Sequence, residues 1–259
     1  MKLSFSKYHG TGNDFIMIDA RELSADWSEM RVSTLCDRRF GIGGDGLILL
    51  THAVGYDFRM VYFNADGKEG SMCGNGGRCV AAFARQLGFI GERFEFIGAD
   101  GPHQAIMLEG ARVKLKMKDV TSQQDVGGFH FLDTGSPHVV MMVESLDRFN
   151  VYETGKSIRQ NASFSPAGTN VNFVQPENDG LFVRTFERGV EAETFSCGTG
   201  VTASALMAFK AGWISHDSTC QVRTPGGLLT VHFRSTDRGF EDVWLEGPTC
   251  HVYDGTIEL

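Results

Sequence analysis

The chain has 259 residues, 42% of them hydrophobic and 22% charged, with a formal net charge of −8. That composition belongs to a globular protein of one large or two ordinary domains. The acidic balance argues against a nucleic acid or an anionic membrane surface as partner, but leaves open a small anionic substrate that needs only local positive groups.

In chain order, Leu3 to Tyr8 alternates apolar and polar residues and predicts a strand. His9-Gly10-Thr11-Gly12-Asn13-Asp14 reads as a polar turn, and Phe15 to Asp19 as a second strand. Glu29 to Arg38 has helical spacing in Met30, Val32 and Leu35. Gly41 to Gly46 is a glycine loop before a strand at Leu47 to Leu50 and reads as a turn. Tyr56 to Asn64 predicts a strand ending in the turn Asn64-Ala65-Asp66-Gly67. A helix from about Gly76 to Leu87 stops at Gly88, and strands follow at Arg93 to Ile97, Gln104 to Leu108 and Ala111 to Met117.

The second half repeats this plan. Phe131 to Val140 matches the opening strand, turn and strand, with Gly135 on Gly12 and Ser136 on Asn13. A short helix is expected near Ile158 to Asn161. Gly168 to Val174 corresponds to the glycine loop and strand around Gly46, and Leu181 to Phe186 is a strand delivering Glu187-Arg188-Gly189. Cys197-Gly198-Thr199-Gly200 repeats Cys73-Gly74-Asn75-Gly76, and the match runs on through a helix to Gly88 on Gly212. Strands at Cys220 to Arg223 and Leu228 to Phe233 come next, and the tail from Val243 holds one more strand, expected to cross back to the first half. The chain is thus an internal duplication, with the break near Met117 to Thr121. The expected domains are 1–117, joined by a C-terminal strand at about 246–259, and 118–245.

Two cysteines at matching positions, each opening a glycine-rich turn before a helix, carry the chemistry. A thiol at a helix start sees the positive end of the helix dipole, which favours thiolate. The adjacent glycines let a substrate approach the backbone, whose N–H groups can hold a carboxylate. If the duplication sets the two thiols on opposite faces of one substrate carbon, one removes a proton and the other supplies one, which is stereoinversion by two bases. On that reading, oxidation would join them into an inactive disulfide. Cys36, Cys79, Cys220 and Cys250 read as ordinary cysteines. No CxxC or Cys/His spacing points to a metal. The first residues, Met1 to Lys7, lack the apolar stretch of a leader, so a cytoplasmic protein with reduced cysteines is expected.

These motifs resemble the diaminopimelate epimerase family over nearly the whole chain. They are His9 to Phe15, Phe63-Asn64-Ala65-Asp66-Gly67, Cys73 to Cys79, Gly135-Ser136-Pro137-His138, Asn170, Glu187-Arg188-Gly189, Cys197 to Gly200, Pro225-Gly226-Gly227 and Tyr253-Asp254-Gly255. The resemblance implies an α/β (α+β) fold of two pseudo-symmetric lobes, each a curved, mostly antiparallel sheet or barrel around a central helix. It implies a homodimer that uses neither metal nor pyridoxal phosphate, works in the lysine and peptidoglycan-precursor pathway, and converts L,L-2,6-diaminopimelate to the meso form. Carried over, Cys73 and Cys197 are the acid/base pair, Cys73 acting on the L,L and Cys197 on the meso substrate. Gly74, Asn75, Gly198 and Thr199 hold the reacting carboxylate, while Asn13, Asn64, Asn170, Glu187 and Arg188 bind the substrate's other end. His138 and Glu187 influence the cysteines. Ser136 and Gly46 depart from the family pattern, so water or a neighbouring side chain must replace two substrate contacts. Racemisation of proline, hydroxyproline or histidine on the same fold is the competing activity, and a two-thiol redox protein the competing class.

Overall fold

The computed structural model describes residues 2–70, 72–121, 123–178, 180–214 and 218–258. The chain divides into two compact units, Met1–Leu115 with Gly247–Leu259, and Lys116–Glu246.

In the first unit the elements are β1 (Lys2–Gly10), β2 (Asn13–Asp19), α1 (Glu29–Cys36), β3 (Gly46–Thr51), β4 (Phe58–Asn64), α2 (Gly74–Gln86), β5 (Arg93–Gly98), β6 (Gly101–Leu108) and β7 (Arg112–Lys116). The second runs β8 (Gln123–Val126), β9 (Phe129–Asp133), β10 (Pro137–Met142), α3 (Val151–Arg159), β11 (Asn170–Glu177), β12 (Gly180–Glu187), β13 (Ala192–Thr194), α4 (Gly198–Lys210), β14 (Thr219–Thr224), β15 (Gly227–Thr236) and β16 (Gly239–Pro248). The last strand, β17 (Cys250–Glu258), returns to the first unit and pairs antiparallel with β1. Leu259, the end of the expected returning strand, lies outside the described residues.

Strand pairing repeats in the two units. β2–β3 and β10–β11 are parallel, as are β4–β5 and β12–β14. The remaining pairs are antiparallel: β1–β2 and β9–β10, β3–β4 and β11–β12, β5–β6 and β14–β15, β6–β7 and β15–β16. β17 lies on β1 as β8 lies on β9. Each unit is therefore a mostly antiparallel sheet in which the polar-outside, apolar-inside alternation of its strands faces one helix. That helix is α2 in the first unit, packed on β1 to β4 and β6, and α4 in the second, packed on β9 to β12, β14 and β15. Reaching strands from both ends of the sheet requires the sheet to curve around the helix. The helices suit enclosure, because Val80, Ala81 and Ala84 of α2 and the run Val201 to Ala208 of α4 are small or apolar on nearly every side and buried.

Several elements differ from the sequence reading for local reasons. The polar stretch His9 to Asp14 shrinks to a two-residue turn, with Thr11 (φ 50°) and Gly12 (φ 85°) both left-handed as a tight hairpin between right-twisted strands requires. α1 ends at Cys36 rather than Arg38, since Asp37 is extended (ψ 126°) and its carboxylate accepts the N–H groups of Arg39 and Phe40. α2 starts at Gly74, so Gly74 and Asn75 belong to its first turn. α3 is longer than the segment expected near Ile158, capped by Asn150 accepting from the Glu153 N–H. The tail holds two strands, β16 and β17, rather than one, and β8 and β13 had no sequence signal. The glycine loop is a turn as expected: the N–H groups of Ile42, Gly43 and Gly44 bond carbonyls of Leu35 and Cys36, closing the end of α1.

Candidate active site

Cys73 and Cys197 occupy the N-cap positions of α2 and α4, with nearly superimposable backbones (φ −109°, ψ 121° and φ −117°, ψ 110°). Neither side chain bonds a first-turn N–H of its helix. Each thiol therefore sits at the positive end of its helix dipole. Cys73 is half-buried and Cys197 is 7% exposed.

At the first centre, the Cys73 thiol lies 3.6 Å from Asn13 Oδ1 and donates to it. The orientation of that amide is set from outside: Asn13 Nδ2 donates to Asp45 Oδ2 at 2.7 Å. Asp45 also accepts the Asp14 N–H and pairs with Arg38. Arg38 and Lys7 flank Asp14; burial works to raise its carboxyl, but their hydrogen bonds prevail and hold it well below the usual range. Asn75 Nδ2 points at Asn13 Oδ1 (3.3 Å), and Asn75 Oδ1 accepts from Arg78 (3.0 Å). Arg78 is fully buried and also donates to Gly74 O and Thr11 Oγ1, tying the start of α2 to the β1–β2 turn. Asn64 is exposed at the end of β4, with its Oδ1 accepting from Tyr62. Gly46 lies opposite Asn64, and a Cβ there would fall 2.6 Å from the Tyr62 ring, so that ring occupies the place of a side chain at Gly46.

At the second centre, Cys197 Sγ is 3.5 Å from Thr199 Oγ1, which is 2.9 Å from His138 Nε2. His138 Nδ1 is 3.0 Å from Asn172 Nδ2. His138 is 0% exposed, and burial pushes its pKa down to about 3, so the ring is neutral at working pH. Asn172 also donates to Val139 O and accepts from Thr185 Oγ1. The Asn170 amide is used within this unit: it donates to Ser136 Oγ and Pro137 O and accepts the Arg188 N–H. Ser136 thus serves Asn170. Arg188 donates to Ala167 O, and Glu187 accepts from Thr194.

Asp45, Arg78, Asn172 and Thr185 had no role in the sequence reading. One signal was available for Asn172: it lies on a buried strand at the position that the duplication gives to Ile48. Among the remaining cysteines, burial pushes Cys36 and Cys220 up to about 12 and raises Cys79 as well, so they behave as core residues. Cys250 is exposed. Among the described residues, no group of three or more His, Cys, Asp or Glu is placed to hold a metal ion, and no helix is long and apolar enough to cross a membrane.

Solved structures share this architecture. A phenazine biosynthesis protein of the PhzF family from Bacillus anthracis matches over 100% of both chains with a TM-score of 0.78 at 15% identity. A hydroxyproline epimerase from Agrobacterium vitis, solved with trans-4-hydroxy-L-proline, matches over 99% of this chain and 92% of its own, with a TM-score of 0.68 at 14% identity. The class is therefore the duplicated α/β fold of these proteins, with curved sheets and few helices. Within it the chain belongs to the diaminopimelate epimerase family, whose family model matches residues 5–123 and 130–246. The diaminopimelate epimerase of Flavobacterium psychrophilum is 45% identical over 253 residues, covering 97% of this chain and 98% of that one. The chain is accordingly an isomerase.

Proposed function

We propose that the protein epimerises 2,6-diaminopimelate between the L,L and meso forms, using Cys73 and Cys197 as its two bases and no cofactor. The observation that carries this is the pair of N-cap cysteines, alike in backbone conformation and heading equivalent helices of a duplicated chain. One cysteine, as thiolate, takes the α-proton, and the electron pair left behind spreads into the α-carboxylate. The N–H groups of Gly74, Asn75, Gly198 and Thr199 meet that carboxylate, whose charge grows in the transition state. The other cysteine, as thiol, returns a proton to the opposite face, so the two sulfurs exchange protonation states with each turnover. Cys73 serves the L,L substrate and Cys197 the meso compound. Asn13, Asn64, Glu187 and Arg188 bind the distal ammonium and carboxylate, with Arg188 suited to a carboxylate. Asn170 belongs to the same clamp, and its amide also accepts the Arg188 N–H. The family resemblance adds a cytoplasmic homodimer whose product feeds lysine and peptidoglycan-precursor synthesis.

The test is solvent exchange: reduced protein and L,L-diaminopimelate in heavy water, with the α-proton followed by NMR. Loss of the α-proton signal and appearance of the meso form are expected, and both should be abolished in Cys73→Ala and in Cys197→Ala. Exchange on proline, hydroxyproline or histidine but not on diaminopimelate would replace the substrate. Full activity in either cysteine variant would refute the two-base mechanism.

A further inference from the structure

The two cysteines share a backbone, but the groups aimed at their sulfurs have opposite polarity. In the second unit, the amide of Asn172 leaves no freedom. Val139 O can only accept, so the atom 2.9 Å from it is the NH₂ nitrogen. Asn172 Oδ1, on the other side, accepts from Thr185 at 3.0 Å. The second hydrogen of the NH₂ group points at His138 Nδ1, 3.0 Å away, which must therefore be the unprotonated ring nitrogen. In a neutral imidazole the proton is then on Nε2 and is donated to Thr199 Oγ1 at 2.9 Å. Thr199 Oγ1 thus accepts from His138, and its own hydrogen is available to Cys197 Sγ at 3.5 Å. At Cys73 the group presented is the reverse, an amide oxygen whose orientation Asp45 enforces.

We propose that Asn172 is a positioning residue of the reaction: through His138 and Thr199 it turns a hydroxyl donor toward Cys197 and so stabilises that cysteine as the thiolate, while the Asn13 amide oxygen favours the thiol at Cys73. The inference rests on the reading of both cysteines as proton carriers. A hydrogen bond donated to the charged form favours that form, and one accepted from the neutral form favours the neutral one.

Comparison of the two units shows that the chain is built for this. His138, Asn172 and Thr185 occupy the register positions that Phe15, Ile48 and Tyr62 occupy in the first unit: His138 lies opposite Asn170 as Phe15 lies opposite Gly46, and Asn172 opposite Thr185 as Ile48 opposite Tyr62. There the same positions form an apolar contact, with the Phe15 and Tyr62 rings edge to face at 5.9 Å. Burying a histidine, an asparagine and a threonine where the first unit has Phe15, Ile48 and a tyrosine ring is unfavourable unless every polar atom is satisfied, which this network achieves. Gly200 makes room for it: a Cβ there would fall 2.3 Å from Asn172 Oδ1 and 3.2 Å from His138 Cε1. The charged groups acting on His138 are Asp133 at the end of β9 and Arg188 beyond β12, of opposite sign; neighbouring Glu187 is engaged by Thr194.

Two measurements test the relay. Long-range ¹H–¹⁵N correlation of the histidine rings in the intact protein should show His138 protonated at Nε2; the Nδ1–H form would overturn the inference without any variant. The rate of iodoacetamide alkylation at Cys197, read by peptide mapping at pH 7, should fall about tenfold in Thr199→Val, the effect of one hydrogen bond to a charged group. It should fall in the same direction in Asn172→Leu and be restored in Thr199→Ser. Unchanged alkylation in both Thr199→Val and Asn172→Leu would overturn the proposal. Exchange activity of Cys197→Ala is a separate readout that bears on the functional reading alone, because ring protonation and alkylation report on the relay whichever way it falls.

Discussion

The buried neutral state of His138 has a measurable consequence for acid stability. Its folded pKa lies near 3, against an ordinary value of ~6.5 for the unfolded chain. Because the folded value is the lower one, the unfolded state takes up a proton as pH falls through 6.5 and the native state does not. The stability that the neutral ring confers is complete above pH 6.5 and drains away as pH falls toward 3. Each pH unit inside that window is worth ~1.4 kcal/mol, and integration from pH 7.5 to 5 gives about 2 kcal/mol from this one residue. The perturbation is His138→Gln, which stays neutral and can still donate and accept. Urea unfolding under reducing conditions at pH 7.5 and pH 5 gives four free energies. The wild type should lose about 2 kcal/mol more than the variant between the two pH values, even though the variant starts lower from its imperfect hydrogen bonds. The other histidines and the carboxylates are common to both chains and cancel. A wild-type-to-variant gap that is the same at both pH values would refute the assignment of a buried neutral ring.

Two further outcomes follow from packing. Gly200→Ala should destabilise by about 1–3 kcal/mol, because the new methyl meets Asn172 Oδ1 at 2.3 Å in a filled core; thermal unfolding should register it, and no change in melting temperature would show that the relay relaxes freely. Among the cysteines that take no part in the proposed chemistry, exposed Cys250 should react with a thiol reagent in the native protein, whereas Cys36, Cys79 and Cys220 should react only on unfolding. Rapid native labelling of any of these three would contradict their burial.

The duplication, the two cysteine-headed helices and the alternation of most strands were readable from the chain because they rest on local signals: a repeated motif, a glycine-rich helix start, a period of two. Cys73 and Cys197 stood out for the same reason, as did the turn of Asn64 and the pair Glu187-Arg188. Which atoms those residues hold was not readable. Asn170 and Asn172 are two asparagines on one face of one strand, yet the first braces Ser136 and the Arg188 backbone while the second sets the protonated nitrogen of His138. Asp45 looked like a turn residue and proves to orient Asn13. Gly46 looked like a missing contact and proves to lie under the Tyr62 ring. The partners come from other segments of the chain, brought opposite by the register of β10 with β11, β11 with β12, β2 with β3 or β3 with β4. The sequence by itself determined that there are two equivalent thiols at two helix starts. Only the tertiary structure decided that one faces a donor and the other an acceptor, because hydrogen-bond direction depends on which polar atoms long-range strand pairing brings within hydrogen-bonding distance of each other.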